Sequence, residues 1–121
     1  MSVRGIRGAI DVSANTAAAI GEATTRLLVA MTDANRLVAA DIISAFFTVT
    51  TDLNAAFPAS AARALGWHDV PLLDAQEIEV PGGMARVVRV LLHVDTALER
   101  SQIQHVYLDG ALALRPDIVQ R

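Results

Sequence analysis

The chain is predicted to fold as an α+β domain around one sheet. Two observations carry this: the elements read in the order β-α-β-α-β-β-β, and the helices among them are few and short. A third sets the scale, because 121 residues make one domain with a core of its own and leave little for another, so residues 1–121 are expected to form a single domain.

Residues 3–12 alternate imperfectly and include Gly5 and Gly8, which reads as a strand with a closely packed backbone. Val3, Arg7 and Ala9 point to one face of it, Arg4 and Ile6 to the other. Ser13 and Asn15 offer caps for the helix that follows. Ile20, Thr24, Leu27, Leu28 and Met31 recur along it at helical spacing, and Asp33-Ala34-Asn35 ends it. A short helical turn is expected at Ala39–Asp41. Ile42 to Thr50 is β-branched and aromatic, as a buried strand is. Phe57-Pro58 introduces a short Ala-rich helix from Ala59 to Leu65, stopped by Gly66. Val70 to Val80 is a strand region, and Pro81-Gly82-Gly83 predicts a hairpin into the strand Arg86–Val94. His105 to Leu114 is the last strand, and Arg115-Pro116-Asp117 ends regular structure.

Composition narrows the function. Hydrophobic residues form 53% of the chain, an excess that means either an unusually apolar core or, the favoured reading, burial against other subunits in a homo-oligomer. The net charge is -3 and no basic run could neutralise a phosphate backbone, so nucleic acid is not an expected partner. The absence of cysteine removes disulfides, thiolate catalysis and Cys-based zinc sites. Met1-Ser2-Val3-Arg4-Gly5 has no apolar signal region, and no window has the roughly 20 apolar residues of a membrane span. A cytoplasmic protein with no membrane partner is expected. His68, His93 and His105 lack metal-ligand spacing, and Ser44, Ser60 and Ser101 lack a nucleophile-elbow context. Gly82-Gly83 is a turn with no phosphate-loop Lys after it. Neither a metal nor a cofactor is expected.

What remains is a set of charges and one hydroxyl in unusual places. Arg89 interrupts Val87-Val88-Arg89-Val90-Leu91-Leu92, where a charge is expensive to bury. Either that strand face is solvated, or Arg89 pairs with a carboxylate such as Glu77 or Glu79, or it grips an anionic ligand. Arg7 lies between glycines in a strand, Arg63 on a short helix, and Tyr107, the sole tyrosine, in an apolar strand. Each has an ordinary structural explanation, but together they suit an anionic small molecule.

Six segments in order resemble the AroH-type chorismate mutases, the trimeric α/β-barrel class. They are Val3-Arg4-Gly5-Ile6-Arg7-Gly8-Ala9; Thr51-Asp52-Leu53-Asn54-Ala55-Ala56-Phe57-Pro58-Ala59 with Arg63; Val70-Pro71-Leu72-Leu73 with Gln76-Glu77; Pro81-Gly82-Gly83; Arg89-Val90-Leu91; and His105-Val106-Tyr107-Leu108 with Leu114-Arg115-Pro116-Asp117. The resemblance implies a single mixed sheet with helices on one face, assembled as a homotrimer around a pseudo-α/β barrel with active sites between subunits. It also implies chorismate as substrate and prephenate as product. Arg89 would then donate to the breaking ether oxygen and the enolpyruvyl carboxylate. Arg7 and Tyr107 would bind that carboxylate, and Glu77 would accept from the ring hydroxyl, helped by main-chain groups near Asp74 and Ala75. Phe57, Ala59 and Leu72 would form an apolar wall against the ring, Leu73 and Leu114 would also bind substrate, and Arg63 and Arg115 would lie near the ring carboxylate. The chain departs from the family in three respects: the stretch between Arg63 and Trp67 is one residue shorter, Asp74 stands where Cys or Ser is common, and Ser60 stands where a Lys or similar residue is. Asp74 is expected either to accept the ring hydroxyl or to be paired. The rival readings are a non-catalytic trimer binding a carboxylate metabolite, and an imine deaminase of the RidA type.

Overall fold

Strand β1 (Ser2–Asp11) opens the chain and the long helix α1 (Ala17–Ala34) follows. Next come β2 (Ile42–Val49), the short helix α2 (Ala59–Ala64), β3 (Leu72–Gln76), β4 (Val87–Thr96) and β5 (Val106–Leu108), and a single helical turn, α3 (Pro116–Val119), closes the described chain. These elements come from a computed structural model that describes residues 1–119. The strands form one five-stranded mixed sheet in the order β3-β2-β4-β1-β5. β4 runs antiparallel to both β1 and β2, whereas β3 pairs parallel with β2 and β5 parallel with β1. Among the described residues, no helix is long and apolar enough to cross a membrane.

The core lies between α1 and one face of the sheet. Alternation along β4 sends Val88, Val90, Leu92 and Val94 to this face, where they meet Ile6 and Ile10 of β1 and Ile20, Leu27, Leu28 and Met31 of α1. Each such fully buried side chain contributes about 1.5–3 kcal/mol. α1 begins at Thr16, whose Oγ1 accepts the Ala19 N–H at 3.1 Å. Neither Ser13 nor Asn15 caps it. The Asn15 side chain is engaged elsewhere: Nδ2 donates to Asn54 Oδ1 at 2.8 Å, and Oδ1 accepts the N–H groups of Asn54 and Ala55. At the other end of α1, buried Asn35 donates to Met31 O and Gln104 O and accepts the Gln104 N–H. Those bonds tie the helix end to the segment leading into β5.

Four expectations from the sequence are corrected. The strand region 70–80 shortens to Leu72–Gln76. Pro81-Gly82-Gly83 does turn, with Gly82 at φ +84 and the Gly83 N–H bonded to Val80 O at 3.0 Å, but it joins no hairpin. β2 lies between β3 and β4, so the turn serves a loop that passes over one strand. The last strand stops at Leu108 because Asp109 adopts φ +53 and a 3-10 turn follows over Asp109–Ala113. A further helical turn then begins at Pro116, where regular structure was expected to end.

Gly8 sets how closely α1 approaches the sheet. A Cβ at Gly8 would collide with Met31 Sδ, and Leu27 Cδ1 would lie only 3.2 Å away. Met31 and Leu27 are themselves fully buried, so neither can swing aside into solvent. Gly8→Ala is expected to destabilise the fold by about 1–3 kcal/mol through overpacking, read as a lower urea midpoint at unchanged m-value.

Candidate active site

The face of the sheet away from α1 carries one row of residues in register across all five strands. Arg89 of β4 lies opposite Thr48 of β2 and Ala9 of β1; Thr48 lies opposite Ala75 of β3, and Ala9 opposite Tyr107 of β5. Registered neighbours share a face. Ala9 places a single methyl group between Arg89 and Tyr107. Arg7 stands one step along β1 on the same face, opposite Leu91 and diagonal to Arg89.

Glu77 follows directly on β3, anchored by its N–H to Val49 O at 2.9 Å. Its Oε1 accepts the Thr48 hydroxyl at 2.9 Å and Arg89 Nε at 2.5 Å. The Arg89 side chain is 42% exposed and that of Glu77 17%. Of the alternatives left open by the sequence, the ion pair with Glu77 is therefore present. It engages Nε and leaves the remaining guanidinium donors without a partner among the described residues. A cavity of about 380 Å³ opens beside the pair, lined by Arg89, Glu77, Thr50, Asp52 and the loop that carries Pro81 to Ala85. Sequence reasoning gave no role to Thr48. Its one available signal was a hydroxyl residue among the apolar residues of β2.

Tyr107 is buried on the same face, in a small cluster with Ala9, Val87 and Ala111, against which Met84 and Leu114 pack. Arg7 is exposed, and its N–H donates to His105 Nδ1 at 3.0 Å. It lines a second depression of about 400 Å³ with Arg4, Arg100 and His105, and not the cavity at Arg89. Arg115 is held by Asp117, its Nε and Nη2 donating to the carboxylate at 3.2 and 3.1 Å. That bond also raises its pKa.

The other predicted site residues are divided between the two sides of the sheet. Ala59 opens α2 and is buried, Phe57 before it is 70% exposed, and exposed Arg63 donates to Ser60 Oγ at 3.2 Å. Leu72 and Asp74 of β3 register with Ala45 and Phe47, which belong to the core, so they point to the α1 side of the sheet. Leu73 registers with Phe46 and points to the Arg89 side, more than half exposed. Within one chain, then, Arg89, Glu77, Arg7, Tyr107 and Leu73 share one face of the sheet, whereas Leu72, Asp74 and Ala59 belong to the layer on the other side. Among the described residues no group of three or more metal-ligating side chains occurs.

This chain is similar to known proteins over nearly its whole length. The family model described as chorismate mutase type I matches residues 3–118. A relative named chorismate mutase AroH, from Thermus thermophilus, is 50% identical over 117 residues, covering 96% of each chain. Another of that name, from Bacillus subtilis (strain 168), is 40% identical over 119 residues, covering 98% of this chain and 94% of the relative. The solved structure of a chorismate mutase from Clostridium thermocellum superposes with a TM-score of 0.90 at 49% identity, covering 91% of this chain and 98% of that one.

Asp74, the anion singled out in the sequence, is engaged by the protein. Its Oδ1 accepts the Ala59 N–H at 3.0 Å, which satisfies one of the donors at the start of α2, since Pro58 provides no side-chain cap. Burial raises its pKa, against the opposing effects of that N–H and of nearby Arg63. A raised folded-state pKa means the folded chain holds the proton more tightly than the unfolded one, so stability falls as pH rises through the carboxyl range. Asp74→Asn keeps an oxygen for Ala59 and removes the charge. It is expected to raise the melting temperature at pH 7, with the gain shrinking as pH is lowered until wild-type Asp74 is itself protonated. A gain that is the same at every pH would contradict this account.

Proposed function

Since the chain belongs to the type I chorismate mutases, we propose that it converts chorismate to prephenate by a pericyclic Claisen rearrangement on the Arg89 face of its sheet. The reaction breaks a C–O bond while a C–C bond forms, and needs neither a nucleophile nor a proton transfer. The protein has two tasks: to hold a flexible dianion in the compact conformer that brings the bonding carbons together, and to stabilise charge growing on the ether oxygen.

The observation that carries the proposal is the fixed Arg89 guanidinium, held at Nε by Glu77 and open to a cavity at its remaining donors. A guanidinium oriented before substrate arrives need not reorganise as charge develops. In this reading Arg89 donates to the ether oxygen and the enolpyruvyl carboxylate. Arg7 and Tyr107 take that carboxylate, and Glu77 accepts from the ring hydroxyl while keeping Arg89 in place. Leu73 and Leu114 supply apolar contact.

The residues on the other side of the sheet reach the substrate only from a second copy. Phe46, Leu73 and Leu91 leave more than a third of their surface to water on the Arg89 face of a single chain. A homotrimer would cover that face and bring Phe57, Ala59, Leu72, Asp74 and Arg63 of one subunit to the cavity of the next, with Arg63 and Arg115 at the mouth. Neither cofactor nor metal has a part in this proposal, and a cytoplasmic location goes with it.

An enzyme of modest acceleration supplies about 8 kcal/mol, of which one donor to a developing oxyanion contributes roughly 3–4. Arg89→Ala is therefore expected to lower kcat by about 10²–10³-fold, followed as loss of the chorismate diene absorbance, with the circular dichroism spectrum unchanged. Retained turnover would refute the role given to Arg89. Light scattering is expected to give three times the 12.8 kDa chain mass, and a monomer would contradict the shared site.

A further inference from the structure

Arg89 sits on β4 and Glu77 just after β3, yet both are referenced to the same few residues at the end of β2. Glu77 is fixed by Thr48 and Val49, through the Thr48 hydroxyl and the Val49 carbonyl. Immediately beyond, Thr50 and Asp52 grip the start of β4. Thr50 Oγ1 accepts the Val87 N–H at 3.0 Å, and the Thr50 N–H donates to Val87 O at 3.1 Å. The Thr50 hydroxyl donates to Asp52 Oδ1 at 2.5 Å, and the Asp52 carboxylate accepts the Arg86 N–H at 3.0 and 3.2 Å.

Arg86 is where the loop over 77–85 becomes β4, and it does so at φ +51. That left-handed conformation is unfavourable for a residue with a Cβ and persists only when its surroundings impose it. Asp52 imposes it from one side. From the other, the end of β1 does so: Val12 N–H donates to Arg86 O at 2.7 Å and Arg86 Nε donates to Val12 O at 2.9 Å. Two residues further along β4, on the face of Val87, stands Arg89. Any drift of Val87 is carried directly into the guanidinium.

We propose that Thr50 and Asp52 are positioning residues: by locking Arg86 in its left-handed turn they fix Arg89 against Glu77, so that both members of the ion pair are measured from the end of β2. Asp52 lines the cavity but acts through the backbone, because a carboxylate touching a dianion would repel it. The Thr50 hydroxyl and the Arg86 N–H also hold the Asp52 carboxyl below its usual range, which keeps it an acceptor at neutral pH. The proposal rests on the role assigned to Arg89 above.

The test is steady-state kinetics on the full chain. A misplacement of about 1 Å at the reacting centre can cost on the order of 10²-fold. Asp52→Ala is expected to lower kcat by about 10- to 100-fold while KM stays within about threefold, because binding is spread over many groups and Arg89 acts chiefly in the transition state. Asp52→Asn retains an oxygen for the Arg86 N–H and is expected to keep most of kcat. Adding Arg86→Gly to Asp52→Ala, which frees the turn of its Cβ penalty, is expected to restore part of the lost kcat. Thr50→Val, close to isosteric, repeats the kcat-selective loss if Asp52→Ala does not fold. An unchanged kcat in Asp52→Ala overturns the proposal, as does a loss that Arg86→Gly leaves untouched. Arg89→Ala, run alongside, separates the levels. If it loses turnover while Asp52→Ala does not, only the positioning inference fails; if it keeps turnover, the role of Arg89 fails first.

Discussion

The two-residue alternation of β4 is the constraint from which the rest of the arrangement follows. This strand is paired on both sides along nearly its whole length, so its register is fixed by β1 and β2 together. Val88, Val90, Leu92 and Val94 are committed to the core under α1, and Arg89 is thereby committed to the opposite face. The same alternation in β2 and β3 brings Thr48 and Ala75 into its row, and β1 and β5 contribute Ala9 and Tyr107. A charged residue in the middle of a valine-rich strand costs little here because helices cover only one side of the sheet. Buried on both faces, Arg89 would need full compensation; half-exposed beside Glu77, it does not.

One-sided cover also divides the predicted site residues. A single chain cannot bring the Asp74 layer and the Arg89 row to one ligand, since the sheet stands between them. The apolar surface left on the Arg89 face and the split site have a common remedy in the trimer proposed above: the face that wants cover is the one that lacks half its residues. The hydrophobic excess in the composition fits the same picture, because a single chain already buries a complete core and still exposes Phe46, Leu73 and Leu91.

Local signals made most elements legible, and the strongest of them carried over to the site. Arg89 stood out because valines surround it, and chemistry alone narrowed its partner to a carboxylate such as Glu77 or Glu79. Thr48 could not, because its role depends on β2 lying beside β4, a pairing between residues far apart in the chain. The hairpin expected at Pro81-Gly82-Gly83 failed for the same reason. Turn residues report that the chain reverses, but not which strand is alongside after it has done so. At the start of α1 the two expected caps, Ser13 and Asn15, give way to Thr16, and Asn15 is instead claimed by the 54–55 backbone. Asp74 was legible as an anomaly, and its resolution, a bond to the first residue of α2, became visible only with β3 and α2 in place.

The position of β1 inside the sheet has a consequence for how the molecule comes into being. β1 is made well before both of its neighbours, β4 and β5, with which it pairs from Asp11 with Val87 to Ser2 with Thr96 and on to Ile10 with Leu108. During synthesis β1 emerges with its hydrogen-bonding edges bare, and waits for partners until β4 and β5 have left the ribosome. Contacts of such long sequence separation form slowly, and their absence leaves apolar strand edges open to wrong partners. β4 then joins β1 to β2, and β5, following it, completes the row from Thr48 to Tyr107.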